Sequence, residues 1–506
     1  MDSGDSALTA LDSVEELFRA RALAGVSPGL AFAVGRDGRL LLAGGHGTAD
    51  EAGTRPGAAT AFRIASCTKS VTAAAILLLR DRGALHLDDP ALLHLPAAAG
   101  LRVPPGYPEI TLRMLLTMSA GLATDNEWAD RQESISPREL DDMLARGVRW
   151  SHPPGTAYEY SNLGYAVLGR VIERIAEQPF RAFVHRELLD PLQLASTGFD
   201  ERVAASGGVA TGYRRTVDGT WSPQPFSGPG AFSPIGGLFS TARDLARWAG
   251  WLSAAFTPTG AIGAGAAGDG AAYDAWVGDG SLGTSSADAV LSRASRREMQ
   301  QIARAIPSPT DAVHPVSRGY GFGLNVTLHP RFGAVVGHSG GYPGFGSHMR
   351  WHPESGLAVI VFENATYADA ATPAAGALEL LLEEFHRPVP ALWPETAAAR
   401  DLVERMLRGR SPSPPAGRFS SNVPLDVPWA ERRRGMNAAL AEVGPLLPER
   451  PLDQVLLRVG SPAHILWRVP AERGELECEV SLHPLDPPLI QALRVSVRTP
   501  GAPGAP

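Results

Sequence analysis

The chain has 506 residues, 53 Asp and Glu against 46 Lys and Arg, a formal net charge of −7 and 44% hydrophobic residues. That length is enough for a large core and more than one domain, and the acidic balance argues against nucleic-acid binding. No stretch is apolar for long enough to cross a bilayer, and the acidic start Met1-Asp2-Ser3-Gly4-Asp5 lacks the layout of a signal peptide, so a cytoplasmic protein is expected.

An amphipathic helix is predicted from about Ser6 to Ala24. A hairpin follows, with strands at Leu30 to Val34 and Leu40 to Ala43 around a turn at Arg36-Asp37-Gly38. Next comes Arg63-Ile64-Ala65-Ser66-Cys67-Thr68-Lys69-Ser70-Val71. Lys69 is the one lysine of the chain; every other cationic side chain is Arg. Arg stays protonated in proteins, whereas Lys loses its proton readily when buried. A position that keeps Lys is therefore a candidate for chemistry that needs a neutral amine. Val71, Ala74, Ala75, Leu78 and Leu79 recur at helical spacing, and Gly83 stops the helix. On that helix Lys69 stands one turn from Ser66, and Ser66 occupies the first turn, where free N–H groups favour negative charge. A serine hydroxyl becomes nucleophilic when a neighbouring base takes its proton. Taken alone, the four residues also fit a helix-capping Ser and an exposed Lys.

Helical patterning continues to a Pro153-Pro154-Gly155 turn, then Tyr160-Ser161-Asn162 and an apolar-periodic helix through Val167, Leu168 and Val171. Tyr160 is a candidate general acid/base and Asn162 a candidate amide facing the substrate. Asp125, Trp128 and Arg131 form a polar loop that could border a cleft. Residues from about Thr257 to Ala287 are rich in Gly, Ala and Ser and read as a flexible insertion. The apolar run Ala334-Val335-Val336 leads to His338-Ser339-Gly340 and Gly341, a strand whose small residues allow close approach of a substrate. The N–H groups of Gly341 and Ser66 are a candidate oxyanion hole. A Pro-rich linker at Arg387-Pro388-Val389-Pro390 separates residues 1–388 from a small α+β domain, 389–506. That domain has a helix at Pro428 to Val443 and strands at His464 to Val469, Glu475 to Leu482 and Leu493 to Val497.

Gly337-His338-Ser339-Gly340-Gly341 also fits G-x-S-x-G, a nucleophile elbow with Ser339 as nucleophile and Asp369 and His386 as partners. That reading needs a helix after the strand, and Tyr342-Pro343-Gly344-Phe345-Gly346 does not propose one. The two cysteines, Cys67 and Cys478, are far apart, and the His residues do not cluster, so no metal, nucleotide or other cofactor is expected.

In this order, Ser66-x-x-Lys69, Tyr160-x-Asn162 and His338-x-Gly340 resemble the penicillin-recognising serine hydrolases: class C β-lactamases, D-alanyl-D-alanine carboxypeptidases, D-aminopeptidases and β-lactamase-like esterases. Ile110 to Leu122, Gly236 to Ala246 and Tyr320 to Leu324 are similar as well, and the resemblance spans roughly residues 10–385. It implies an α/β fold, an antiparallel sheet flanked by helices plus an all-helical lobe. It implies an acyl-enzyme on Ser66, proton transfer by Lys69 and Tyr160, and substrate or oxyanion contacts from Asn162, His338, Gly340 and Gly341. His338 stands where many relatives carry Lys. Being neutral at pH 7, it favours small esters, amides or peptides over penicillins. An acyltransferase or peptide-cyclising thioesterase on the same site, and a silent binding module, are the alternatives. Nothing in the chain sets an oligomeric state.

Overall fold

The computed structural model describes residues 3–203, 205–257, 288–308, 317–385, 392–410 and 414–498. Strands β1 (Gly29–Arg36) and β2 (Arg39–Gly47) are the predicted hairpin. They share a sheet with β3 (Arg304–Ala305), β4 (Arg318–Tyr320), β5 (Asn325–His329), β6 (Gly333–Tyr342), β7 (Phe345–Trp351) and β8 (Leu357–Glu363). Its order is β2-β1-β8-β7-β6-β5-β4-β3, antiparallel throughout. The N-terminal hairpin therefore closes onto the last strands of its unit, with Leu30 opposite Glu363 and Arg36 opposite Leu357.

Helices α1 (Ser3–Leu23) and α5 (Ala371–Phe385) pack on one face and α4 (Ala242–Ser253) on the other, while α2 (Thr68–Asp81) and α3 (Asn162–Ala176) pack together in the helical lobe. Successive strand residues point to opposite faces, and this sorts the core. Leu30, Phe32 and Val34 of β1 and Leu357, Val359 and Val361 of β8 join Val14 and Phe18 of α1 and Leu378 and Leu381 of α5. The intervening Ala31, Ala33, Ile360 and Phe362 join α4 and the helical lobe. Every residue of α2 from Thr68 to Leu79 is buried. It is thus wrapped on all sides, where its spacing predicted a single apolar stripe. Around it lie α3 and the shorter helices Phe180–Val184, Ser233–Gly236 and Arg293–Met299.

The chain divides into two compact units, Met1–His386 and Arg387–Pro506. The second contains α6 (Pro394–Leu407), α7 (Trp429–Val443) and a meander of β9 (Leu456–Ser461), β10 (His464–Ala471), β11 (Gly474–Leu482) and β12 (Ile490–Val497). Ile465, Trp467 and Val469 alternate with half-buried residues, and Leu476, Cys478 and Val480 face the same core. The sequence reading missed α6 and β9; β9 is mostly exposed or half-buried and carries no alternation. The expected insertion, apart from Thr257, and the linker Arg387–Pro390 lie outside the described residues.

Candidate active site

Ser66 sits in a 3-10 turn, Ala65–Cys67, that runs directly into α2. The regular helix thus begins two residues later than the spacing suggests. The reason is Ala65, whose φ of 46° is left-handed, a strained conformation that persists where surroundings enforce it. Those surroundings include a glycine. A Cβ on Gly340 would lie 2.3 Å from the Ile64 carbonyl oxygen and 3.0 Å from Ala65 Cβ. Only glycine lets β6 lie this close to the serine turn.

Lys69 Nζ donates to Ser66 Oγ at 2.9 Å and to the Ile235 carbonyl at 2.7 Å. Lys69 has no exposed surface, while Ser66 is half-buried and reachable. Burial pushes the Lys69 ammonium down to about 7, against the opposing pull of the Asp130 and Asp125 carboxylates. Its two hydrogen-bond acceptors are uncharged, so nothing in contact with it demands the charged form. Tyr160 is half-buried, with its ring centroid 5.1 Å from Lys69 Nζ. Burial holds its phenol well above the usual value, and a side-chain hydrogen bond to Ser66 partly opposes this.

Asn162 opens α3, and Ser161 rather than Asn162 caps that helix, its Oγ accepting from the Gly164 N–H at 3.3 Å. Asn162 Nδ2 donates to Asn126 Oδ1 at 3.0 Å. Its Oδ1 is buried without a hydrogen-bond partner among the described residues. His338, on β6, is buried. Its Nδ1 lies 2.5 Å from the Ser339 carbonyl oxygen and its Nε2 lies 3.0 Å from the Tyr320 hydroxyl. With Nδ1–H donating to the carbonyl, Nε2 accepts from Tyr320. Burial, reinforced by the Lys69 charge, pushes this imidazole down to about 3, so it is neutral. Both ring nitrogens are already engaged within the protein. Gly341 packs under Tyr367, whose Cδ1 would lie 2.8 Å from an added Cβ. The Tyr367 hydroxyl donates to Asp130 Oδ2 at 3.0 Å. Burial pushes the Asp130 carboxyl up to about 6.

Ser339 is exposed, and its Oγ lies 2.9 Å from His348 Nδ1 across the β6–β7 pair. Strand β6 turns into β7 and no helix follows, so the strand–turn–helix of a nucleophile elbow is missing. Asp369 accepts from the N–H groups of Ala371 and Thr372 at the start of α5, and His386 is outside the described residues. Tyr320, Asp130 and Tyr367 were not assigned a role by sequence. Tyr320 lay in a segment already noted for its resemblance; Asp130 and Tyr367 are 237 residues apart with no local signal.

A family model described as Beta-lactamase matches residues 14–383. The chain belongs to the beta-lactamase family. Among its curated relatives, "Protein flp" of Staphylococcus aureus (strain COL) is 30% identical over 188 residues, 37% of this chain and 38% of that protein. "Esterase EstB" of Burkholderia gladioli is 35% identical over 206 residues, 37% of this chain and 50% of that protein. The match thus spans half or less of the length of these relatives. The octameric penicillin-binding protein homologue from Pyrococcus abyssi superposes with a TM-score of 0.58 at 22% identity, covering 98% of this chain and 100% of that one. EstCE1, a hydrolase with promiscuous acyltransferase activity, gives 0.56 at 21%, covering 74% and 98%. These two structures are alike in fold. The beta-lactamase-family match takes in all three motifs and stops before the second unit.

Proposed function

We propose that this beta-lactamase-family chain is a serine hydrolase that forms an acyl-enzyme on Ser66 from small esters, amides or short peptides. One observation carries the reading: the fully buried Lys69 amine stands 2.9 Å from Ser66 Oγ, with its pKa pushed down to about 7. A free lysine is neutral in only about 1 molecule in 10³ at pH 7, whereas this one is neutral in about half. The neutral amine takes the Ser66 proton while Oγ attacks the acyl carbon. The C–O or C–N bond then breaks, and the leaving alcohol or amine collects the proton by way of Tyr160. Water, activated by the same groups, attacks the acyl-enzyme, releases the acid and returns the proton to Ser66. The N–H groups of Ser66 and Gly341 receive the oxyanion at each step. His338 and Gly340 serve the site by holding β6 against the serine turn, and Asn162 faces the substrate.

The neutral His338 brings no positive charge to the third motif, which favours uncharged esters and amides over substrates that carry a carboxylate there. The 35% identity to EstB supports an ester substrate. Intact-mass spectrometry after exposure to a fluorophosphonate and, separately, to penicillin, with peptide mapping, tests the reading. A fluorophosphonate adduct on Ser66 is expected, with little or none from penicillin. Label on Ser339, or no label at all, would overturn it. A stable adduct without turnover would make the chain a binding module. An amide product formed on adding an amine would make it an acyltransferase.

A further inference from the structure

The Tyr160-Ser161-Asn162 turn is gripped from outside by three consecutive residues, Thr124, Asp125 and Asn126. On the near side of Tyr160, Glu159 Oε1 accepts from the Thr124 N–H at 2.9 Å and from the Thr124 hydroxyl at 2.5 Å. On the far side, Asp125 Oδ1 accepts from the Asn162 N–H at 2.7 Å and Oδ2 from the Leu163 N–H at 2.8 Å. Asn126 Oδ1 accepts from Asn162 Nδ2 at 3.0 Å. The first N–H groups of a helix have no partner within it and favour an anion. In α3 the first two are taken by both oxygens of one carboxylate from a distant loop, and the third by Ser161 Oγ. Asp125 makes no ion pair with a cationic side chain among the described residues, so its charge is directed at this backbone.

We propose that Asp125 is a positioning residue for the reaction: its bidentate grip on the Asn162 and Leu163 N–H groups fixes Tyr160 and Asn162 over Ser66. The inference rests on the Ser66 reading above. The grip engages backbone, so its geometry does not depend on side-chain identity at 162 or 163. A carboxylate also suits the task better than an amide, which would turn its NH₂ toward one of the two donors. Asp125 belongs to the same field that opposes the burial of Lys69, so the loop that places the acid/base tyrosine also faces the base.

The test uses the full chain and a p-nitrophenyl ester. For Asp125→Asn, kcat falls about 10- to 100-fold, the scale of a misplaced catalytic group, with KM little changed. Added to Tyr160→Phe, the same substitution changes kcat/KM by less than about threefold, because residues that act as a unit are not additive. Hydrogen exchange at the Asn162 and Leu163 amides quickens in Asp125→Asn. Wild-type kcat in Asp125→Asn, or full additivity with Tyr160→Phe, would overturn the proposal. Should Asp125→Asn fail to fold by circular dichroism, Asp125→Glu replaces it: kcat is expected to fall, and unchanged kcat would overturn the proposal. A wild-type protein that turns over no ester or amide would instead defeat the Ser66 reading, and the exchange data would still report on the grip.

Discussion

Two cations six residues apart are buried equally deeply and are handled in opposite ways. Arg63 is 1% exposed and ion-pairs with Glu133, itself 1% exposed. Glu133 also accepts from Tyr342 and Ser233 hydroxyls at 2.9 and 3.2 Å. Arg63 Nε donates to the Gly236 carbonyl at 3.2 Å, and the guanidinium lies 3.8 Å from the Tyr342 ring centroid. Among the described residues the Lys69 amine hydrogen-bonds only to a hydroxyl and a carbonyl. A buried charge with a bonded counter-ion is a fixed strut; a buried amine without one gives up its proton. In the proposed site the two have different parts: Arg63 ties the strand Ala61–Arg63 to Glu133 and Gly236, and Lys69 stays switchable.

Exchanging the two kinds of environment breaks the contrast. The largest effect is expected from Lys69→Arg, which keeps the charge and removes the base. Its kcat/KM should fall by about 10² to 10⁴, while circular dichroism and urea unfolding show a folded protein. Near-normal turnover would refute Lys69 as base. Next, Glu133→Ala strands Arg63 without its counter-ion and should cost about 3–5 kcal/mol of stability by urea titration; a loss under 1 kcal/mol would mean that Arg63 finds another partner.

The depressed Lys69 pKa predicts a sign as well. Below about pH 7 the folded protein must protonate a buried amine, whereas the unfolded chain binds that proton from pH ~10.4 downward. Lys69 therefore opposes folding increasingly as pH falls from ~10.4 to about 7, and constantly below. Lys69→Met should accordingly raise stability at pH 6 by on the order of 2–4 kcal/mol, the gain vanishing above pH ~10.4. A destabilised Met variant at pH 6 would contradict this. In the wild type, kcat/KM should climb with pH through about 7. Facing this amine are Asp125, Asp130, Cys67, Tyr160, Tyr165 and His338. The smallest effect is expected from Tyr320→Phe, which leaves His338 Nε2 without its donor and should lower stability by about 1–2 kcal/mol.

The sequence was enough to locate β1, as a run of apolar residues buried on both faces, and α3 and most of the second unit's meander, through 3.6- and two-residue repeats. It also paired Ser66 with Lys69, since residues three apart near a helix start share a face whatever the rest of the chain does. Local pattern misled where tertiary packing overrode it: α2 is buried on every side, and Ala65 is forced to a positive φ that shortens the helix. Ser339 matched a motif whose setting the β6–β7 hairpin denies it.

What remained for the tertiary structure was the environment of each group. The Lys69 pKa depends on burial and on carboxylates at 130 and 125; His338 Nε2 depends on the Tyr320 hydroxyl; the first N–H groups of α3 are taken by Asp125 from 37 residues away. Motif spacing reports which residues share a helix or strand. Desolvation and electric field depend on which distant segments close over them, and no local pattern encodes that.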